Sequence, residues 1–223
     1  TSVGSQTLIV PNNDNEVAGF TLSPLQGGDL LEGDTATVSF TVVLDAEPNP
    51  GEFVILDLAT LDTTESQVTT PTAVLVFTAA NWSTSQTVSL TSVDDITLDG
   101  TVTSSITVSV SPFSLSPAFS ALNTQTITVN TLDNDLPGFS ITPVTGSLME
   151  GSSATASFTV VLDVQPLTDV SIDFTSSDIG EINLVNPSTK TFTFSNWNVP
   201  QTVSLQSTDE YFIDGSQLVS ITA

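Results

Sequence analysis

The chain has 223 residues, of which 25 are acidic and one is basic, and it contains neither cysteine nor histidine. The formal net charge of −24 excludes binding to nucleic acid or to anionic membranes, because such binding needs a basic surface that displaces phosphate counterions. The absent residue types exclude thiolate and imidazole metal sites, cysteine nucleophiles and Ser-His-Asp catalysis.

The chain contains an internal repeat. GFTLSP at 19–24 matches GFSITP at 138–143, and FTAANWSTSQTVSL at 77–90 matches FTFSNWNVPQTVSL at 192–205. QTLIV at 6–10 likewise matches QTITV at 125–129. The blocks predict three parts: residues 1–13 as the last strand of a preceding repeat, 14–132 as a complete repeat, and 133–223 as a second repeat without its final strand.

Within a repeat the apolar residues alternate with polar ones. Val38, Phe40, Val42 and Leu44 fall on one face of a run whose other face is Ser and Thr. A period of two with one polar face is typical of half-buried antiparallel strands. About seven such strands per repeat, separated by Gly, Pro, Asn and Asp, favour an all-β fold of tandem immunoglobulin-like antiparallel sandwiches. No segment has a convincing helical pattern.

One tryptophan per repeat, Trp82 and Trp197, precedes the QTVSL strand. We expect it to pack at the edge of the sandwich. The alternative is a sugar-binding or protein-binding module, but a carbohydrate platform usually needs several exposed aromatic side chains, and each repeat offers one candidate.

Acidic residues recur at the predicted strand ends of both repeats. In the first repeat they are Glu32, Asp62, Glu65, Asp94, Asp95 and Asp99. In the second they are Glu150, Asp178, Glu181, Asp209, Glu210 and Asp214. The repeat junction adds Asp133 and Asp135, whose upstream counterparts are Asp14 and Glu16.

These carboxylates predict a calcium site. The loops of a sandwich gather at its two ends, so the acidic loops of a repeat are expected to converge at one end. Clustered like charges destabilise a fold unless a cation neutralises them. Calcium accepts six to eight oxygen ligands from flexible loops, whereas magnesium requires a tight octahedron. The alternative is that each carboxylate lies in a solvated turn.

The order of these motifs resembles the Calx-beta repeat, in the tandem form found in large bacterial surface proteins and adhesins. The motifs are the EG of Glu32 and Glu150, the SFTVVLD strand, the acidic loop of Asp62 and Glu65, the NW…QTVSL block and the closing DND. The resemblance implies a seven-stranded sandwich that binds calcium in the loops at one end. The second repeat departs from the first in having Asp209-Glu210 where the first has Asp94-Asp95.

We therefore expect a calcium-stabilised structural or adhesive repeat from the stalk of a large extracellular protein on a bacterial surface. Its partners would be neighbouring repeats of the same chain. The sequence does not identify the ligand that is bound at the end of the stalk. An alternative is a filament subunit, in which the spare strand QTLIV of one copy completes the open sandwich of another. Catalysis by paired carboxylates is not expected, because the pairs recur in both repeats without an acid or base of another type.

Overall fold

The computed structural model describes residues 4–185 and 187–223. The strands of its N-terminal part are β1 Phe20–Leu22, β2 Leu30–Leu31, β3 Val38–Leu44, β4 Phe53–Thr60, β5 Ser66–Thr70, β6 Val74–Thr78, β7 Gln86–Ser92, β8 Thr97–Leu98, β9 Val102–Val110 and β10 Gln125–Leu132. The remaining strands are β11 Phe139–Ile141, β12 Thr155–Leu162, β13 Gln165–Pro166, β14 Val170–Asp173, β15 Thr175–Ser176, β16 Ile182–Val185, β17 Thr189–Phe192, β18 Gln201–Ser207 and β19 Ile221–Thr222. The helical element of the described chain is a short 3₁₀ helix, Pro117–Phe119. Among the described residues no helix has the length and apolar character needed to span a bilayer.

The chain divides into two compact units. Unit 1 comprises the described residues up to Val93 together with Thr103–Thr131. Unit 2 comprises Asp94–Val102 together with the described residues from Leu132 to Ala223. The segment Asp94–Val102, which the repeat pattern assigned to the first repeat, belongs to unit 2 because β8 pairs in parallel with β13.

Unit 1 is a sandwich of two sheets, ordered β1-β3-β7-β5 and β2-β10-β9-β4-β6. The pairs β3–β7 and β4–β9 are antiparallel. Burial alternates along β3 with the predicted period of two, and each fully buried apolar side chain contributes about 1.5–3 kcal/mol. The predicted all-β class of antiparallel sandwiches is confirmed.

Unit 2 repeats the first of these sheets as β11-β12-β18-β16, and adds the pairs β14–β17 and β15–β19. The described residues include no strand equivalent to β10 on this unit. Phe20 is 4% exposed in unit 1, whereas its counterpart Phe139 is 43% exposed in unit 2. The difference arises because the apolar face that β10 and its preceding loop cover in unit 1 is open in unit 2.

The two tryptophans pack as expected at the edges of the cores. Trp82 and Trp197 are partly buried, each against the core of its own unit. Each backbone N–H donates to a threonine carbonyl four residues earlier, Thr78 or Thr193, at 3.0 Å. This local turn repeats in both units and fixes the ring against the core, which supports a packing role.

Candidate functional site

Two buried glutamates lie together in unit 1. Glu32 follows β2 and is 2% exposed, and Glu65 precedes β5 and is 4% exposed. Carboxylate oxygens of the two residues lie within 4.8 Å of each other. The loop of Glu65 is anchored because its carbonyl accepts hydrogen bonds from the Val93 amide and the Thr131 hydroxyl. Two like charges in a buried position strongly favour a cation or a proton between them.

Three other predicted ligands do not join such a group in the described residues. Asp62 instead closes its own loop, accepting hydrogen bonds from the amide and hydroxyl of Thr64 at 3.2 and 2.6 Å. Asp14 and Glu16 lie exposed on the segment before β1. The Glu16 amide donates to Asp14, and hydrogen bonding to Glu16 lowers the pKa of the Asp14 carboxyl.

Unit 2 holds a first acidic cluster, built around Asp133. Its Oδ2 accepts from the amides of Asp99 and Gly100 at 3.0 and 2.8 Å, and its Oδ1 accepts from the Asp135 amide at 2.7 Å. Gly100 provides the turn that aims both amides at Asp133, with a φ of +76°. The other members are Asp94, whose Oδ1 accepts from Asn134, and Asp95, whose Oδ1 accepts from Thr97.

Two carboxylate oxygens in this cluster are buried without a hydrogen-bond partner among the described residues. They are Oδ1 of Asp99 and Oδ2 of Asp135. Burial raises the pKa of both carboxyls, and the charges of Asp95 and Asp133 raise them further. A buried, unpaired carboxylate oxygen destabilises the fold, so these two atoms mark a place where a cation would be bound favourably.

A second acidic cluster occupies unit 2 at the loops equivalent to those of Glu32, Glu65 and the double acid. Carboxylate oxygens of Glu181, Glu210 and Asp214 lie within 4.8 Å of one another. Glu150 joins them by accepting the Glu210 amide at 2.8 Å. Burial raises the pKa of Glu181, with a further rise from Asp214 and Glu150, and burial and hydrogen bonding to Asp214 raise that of Glu210.

The remaining two predicted ligands of the second repeat lie beside this cluster. Asp178 accepts the Gly180 amide at 2.9 Å in a local turn, and its charge contributes to the raised pKa of Glu181. Asp209 lies against Gly151, so a Cβ added to Gly151 would stand 2.9 Å from Oδ1 of Asp209. Their carboxylates therefore shape the loops of the second cluster.

The chemistry of these groups is that of a hard cation. The described donors are carboxylate oxygens, and the whole sequence offers Lys190 as its single basic side chain. Internal salt bridges therefore cannot neutralise the clusters. Oxygen-rich, loop-borne sites suit calcium, and magnesium less well.

The raised pKa values lead to a prediction about pH. Because the carboxyls of Asp99, Asp135, Glu181 and Glu210 have higher pKa values folded than unfolded, the folded chain binds more protons. Stability therefore falls as the pH rises through the window above their ordinary values, 3.8 for Asp and 4.5 for Glu. In chelator we expect thermal unfolding at about pH 5 to occur several degrees higher than at about pH 7.5. A melting temperature that rises with pH over this range would contradict the raised pKa values of these carboxyls.

Sequence reasoning missed two features of the sites. It grouped Asp94, Asp95 and Asp99 with the first repeat, whereas the structure places them with Asp133 and Asp135 in unit 2. It also placed Glu32 and Glu65 at strand ends without predicting their exposure, whereas both side chains are buried. The available signal for Glu32 was its position two residues after the apolar Leu30, since residues two apart in an extended chain point to the same side.

Comparisons with known proteins identify no family. A scan against protein-family models found no match, and a search of curated proteins found none. Among solved structures, the chain is similar to domains 5–6 of the S-layer protein SbsC, with 10% identity, a TM-score of 0.29, and coverage of 86% of this chain and 85% of that one. It is also similar to SbsC domains 4–9, with 12% identity, a TM-score of 0.29, and coverage of 92% and 29%. A third similar structure is Escherichia coli alpha-2-macroglobulin activated by porcine elastase, with 9% identity, a TM-score of 0.28, and coverage of 90% and 20%. Likenesses at these TM-scores support no conclusion about the fold or function of this chain.

Proposed function

We propose that the chain is a pair of calcium-stabilised structural repeats from an extracellular surface protein, similar to the Calx-beta repeats of bacterial adhesins. The observation that carries this proposal is the second acidic cluster, which brings together carboxylates from the loops of Glu150, Glu181 and Glu210. Glu181, Glu210 and Asp214 stand within 4.8 Å of one another without a basic side chain to balance them.

The carboxylates of the first acidic cluster and of the buried pair in unit 1 support the same conclusion. Asp99 and Asp135 each bury an oxygen without a hydrogen-bond partner in the described chain. Glu32 and Glu65 bring two like charges into a buried position. At these carboxylates a divalent cation would replace repulsion by coordination.

The calcium affinity expected of such sites suits an extracellular role. Extracellular calcium modules bind at about 10⁻⁴–10⁻³ M, which matches a calcium-rich exterior. Because the ion binds the folded state, it raises stability by mass action. Repeats whose loops are fixed in this way would serve as a stiff stalk that carries a binding domain away from the cell.

Calcium binding can be tested with a single substitution in the second cluster. We expect Glu210→Gln to lower the calcium affinity of unit 2 by at least about tenfold, since one charged ligand is lost. In chelator the same variant is expected to be more stable than the wild type, because a like charge has been removed. The measurements are isothermal titration calorimetry, metal analysis of the dialysed protein, and thermal unfolding with and without calcium.

The matched control is Asp169→Asn, which removes the same charge from an exposed residue outside both clusters. It should change neither calcium affinity nor the response to chelator. Equal effects of the two variants would show that total charge, and not a site at Glu210, governs calcium binding. A protein that binds no calcium at millimolar concentration would overturn the proposed function.

A further inference from the structure

Unit 2 has an apolar groove on a face that is closed in the described part of unit 1. The groove has a volume of about 470 Å³, and its walls include Ile141, Leu148, Phe158 and Ile221. The equivalent face of unit 1 is closed, since Leu30 and Ile106, the counterparts of Leu148 and Ile221, are at most 1% exposed.

Strand β10 closes that face in unit 1. It lies between β2 and β9 in the five-stranded sheet. Val129 is buried in the core and Ile127 packs against it, whereas Thr126 and Thr128 point to solvent. Unit 1 therefore shows which strand pattern the groove of unit 2 accepts: QTITV, with its third and fifth residues directed inward.

We propose that this groove binds residues Gln6–Val10 of a second copy of the chain, as a donated strand. The segment reads QTLIV and aligns with Gln125–Val129, so Leu8 and Val10 take the inward positions of Ile127 and Val129. In the structure Leu8 and Val10 are 87% and 73% exposed and lie outside any strand. Two exposed apolar side chains thus match an open apolar groove in spacing and direction.

The residues that follow the strand match as well. Asp14 aligns with Asp133, which accepts the amides of Asp99 and Gly100. The counterparts of those two residues are Asp214 and Gly215, and Gly215 has the same positive φ as Gly100, +80° against +76°. Pro11 replaces Asn130 and has no amide hydrogen, so the new ladder is limited to Gln6–Val10.

A second pairing favours the same donor. In unit 2, β8 pairs with β13, Gln165–Pro166. The counterpart of β8 is Phe212–Ile213, which is exposed, and the counterpart of β13 is Glu47–Pro48. A copy that donates Gln6–Val10 also carries Glu47–Pro48, so it offers both partners of the contacts that unit 2 leaves open.

The test is self-association of the 223-residue chain, measured by sedimentation velocity. It is done in chelator at about 0.5 M NaCl, where the Debye length is only a few ångströms and repulsion between the negative copies is screened. We expect concentration-dependent head-to-tail oligomers. Because calcium is absent, association in this experiment cannot arise from calcium bound between copies, so its outcome does not depend on the proposed function.

Two double variants of the exposed segment make the test specific. Leu8→Asp with Val10→Asp changes the inward residues and should weaken association by at least about 100-fold. Thr7→Asp with Ile9→Asp adds the same charge at the outward positions and should leave association within about tenfold of the wild type. All four residues are exposed, so neither variant is expected to disturb the fold.

Complementation gives a further check. Ile141→Asp places a charge in the groove and should make the chain monomeric while leaving its own Gln6–Val10 intact. Mixed with the Leu8→Asp, Val10→Asp variant, it should form a one-to-one heterodimer. The proposal would be overturned by a wild-type chain that stays monomeric at every concentration. It would also be overturned if the two double variants associated equally. A monomeric wild type would indicate that the groove binds something else, such as a later segment of a longer chain.

Discussion

Removal of calcium is expected to lower the melting temperature of the chain by about 5–10 °C. With a dissociation constant of about 10⁻⁴–10⁻³ M, about 10 mM calcium stabilises each site by roughly 1.4–2.7 kcal/mol. For a unit of little more than 100 residues, 1 kcal/mol corresponds to about 4 °C. The measurement is differential scanning calorimetry in calcium and in chelator at equal ionic strength.

Magnesium provides the control for this experiment. At the same concentration it screens charge equally well but demands an octahedral site, so it should restore much less of the lost stability. Superimposed melting curves in calcium, magnesium and chelator would mean that the acidic clusters are solvated loops without an ion.

Truncation of Phe20 is expected to cost far more stability than truncation of Phe139, although the two residues are equivalent in the repeat. Phe20 is 4% exposed and belongs to the core of unit 1, so Phe20→Ala should destabilise that unit by about 3–5 kcal/mol. Phe139 is 43% exposed, and Phe139→Ala should destabilise unit 2 by about 1 kcal/mol, since much of the ring already contacts water.

Each unit can be followed by its own fluorophore. Trp82 packs against the core of unit 1 and Trp197 against that of unit 2, so denaturant unfolding in variants that retain one tryptophan separates the two transitions. Equal losses for the two Phe→Ala variants would show that the ring of Phe139 is covered in solution by another segment.

Much of the fold follows from local pattern. The alternation of Val38, Phe40, Val42 and Leu44 predicts which face of β3 is buried, because successive side chains of a strand point to opposite faces. The same reasoning holds for Val203 and Leu205, which are buried on β18. Strand position and orientation could therefore be predicted without knowledge of which strands pair.

The membership of the acidic sites depended on tertiary structure. Asp62 and Glu65 are three residues apart, yet Glu65 is buried beside Glu32 while Asp62 binds its own loop. Likewise, Asp99 and Asp133 meet although 34 positions separate them. Sequence spacing fixes the face of a strand on which a side chain lies, but sheet topology decides which strand ends, and hence which carboxylates, come together. The same topology decides that Phe20 is buried and Phe139 is open, a difference that no local pattern records.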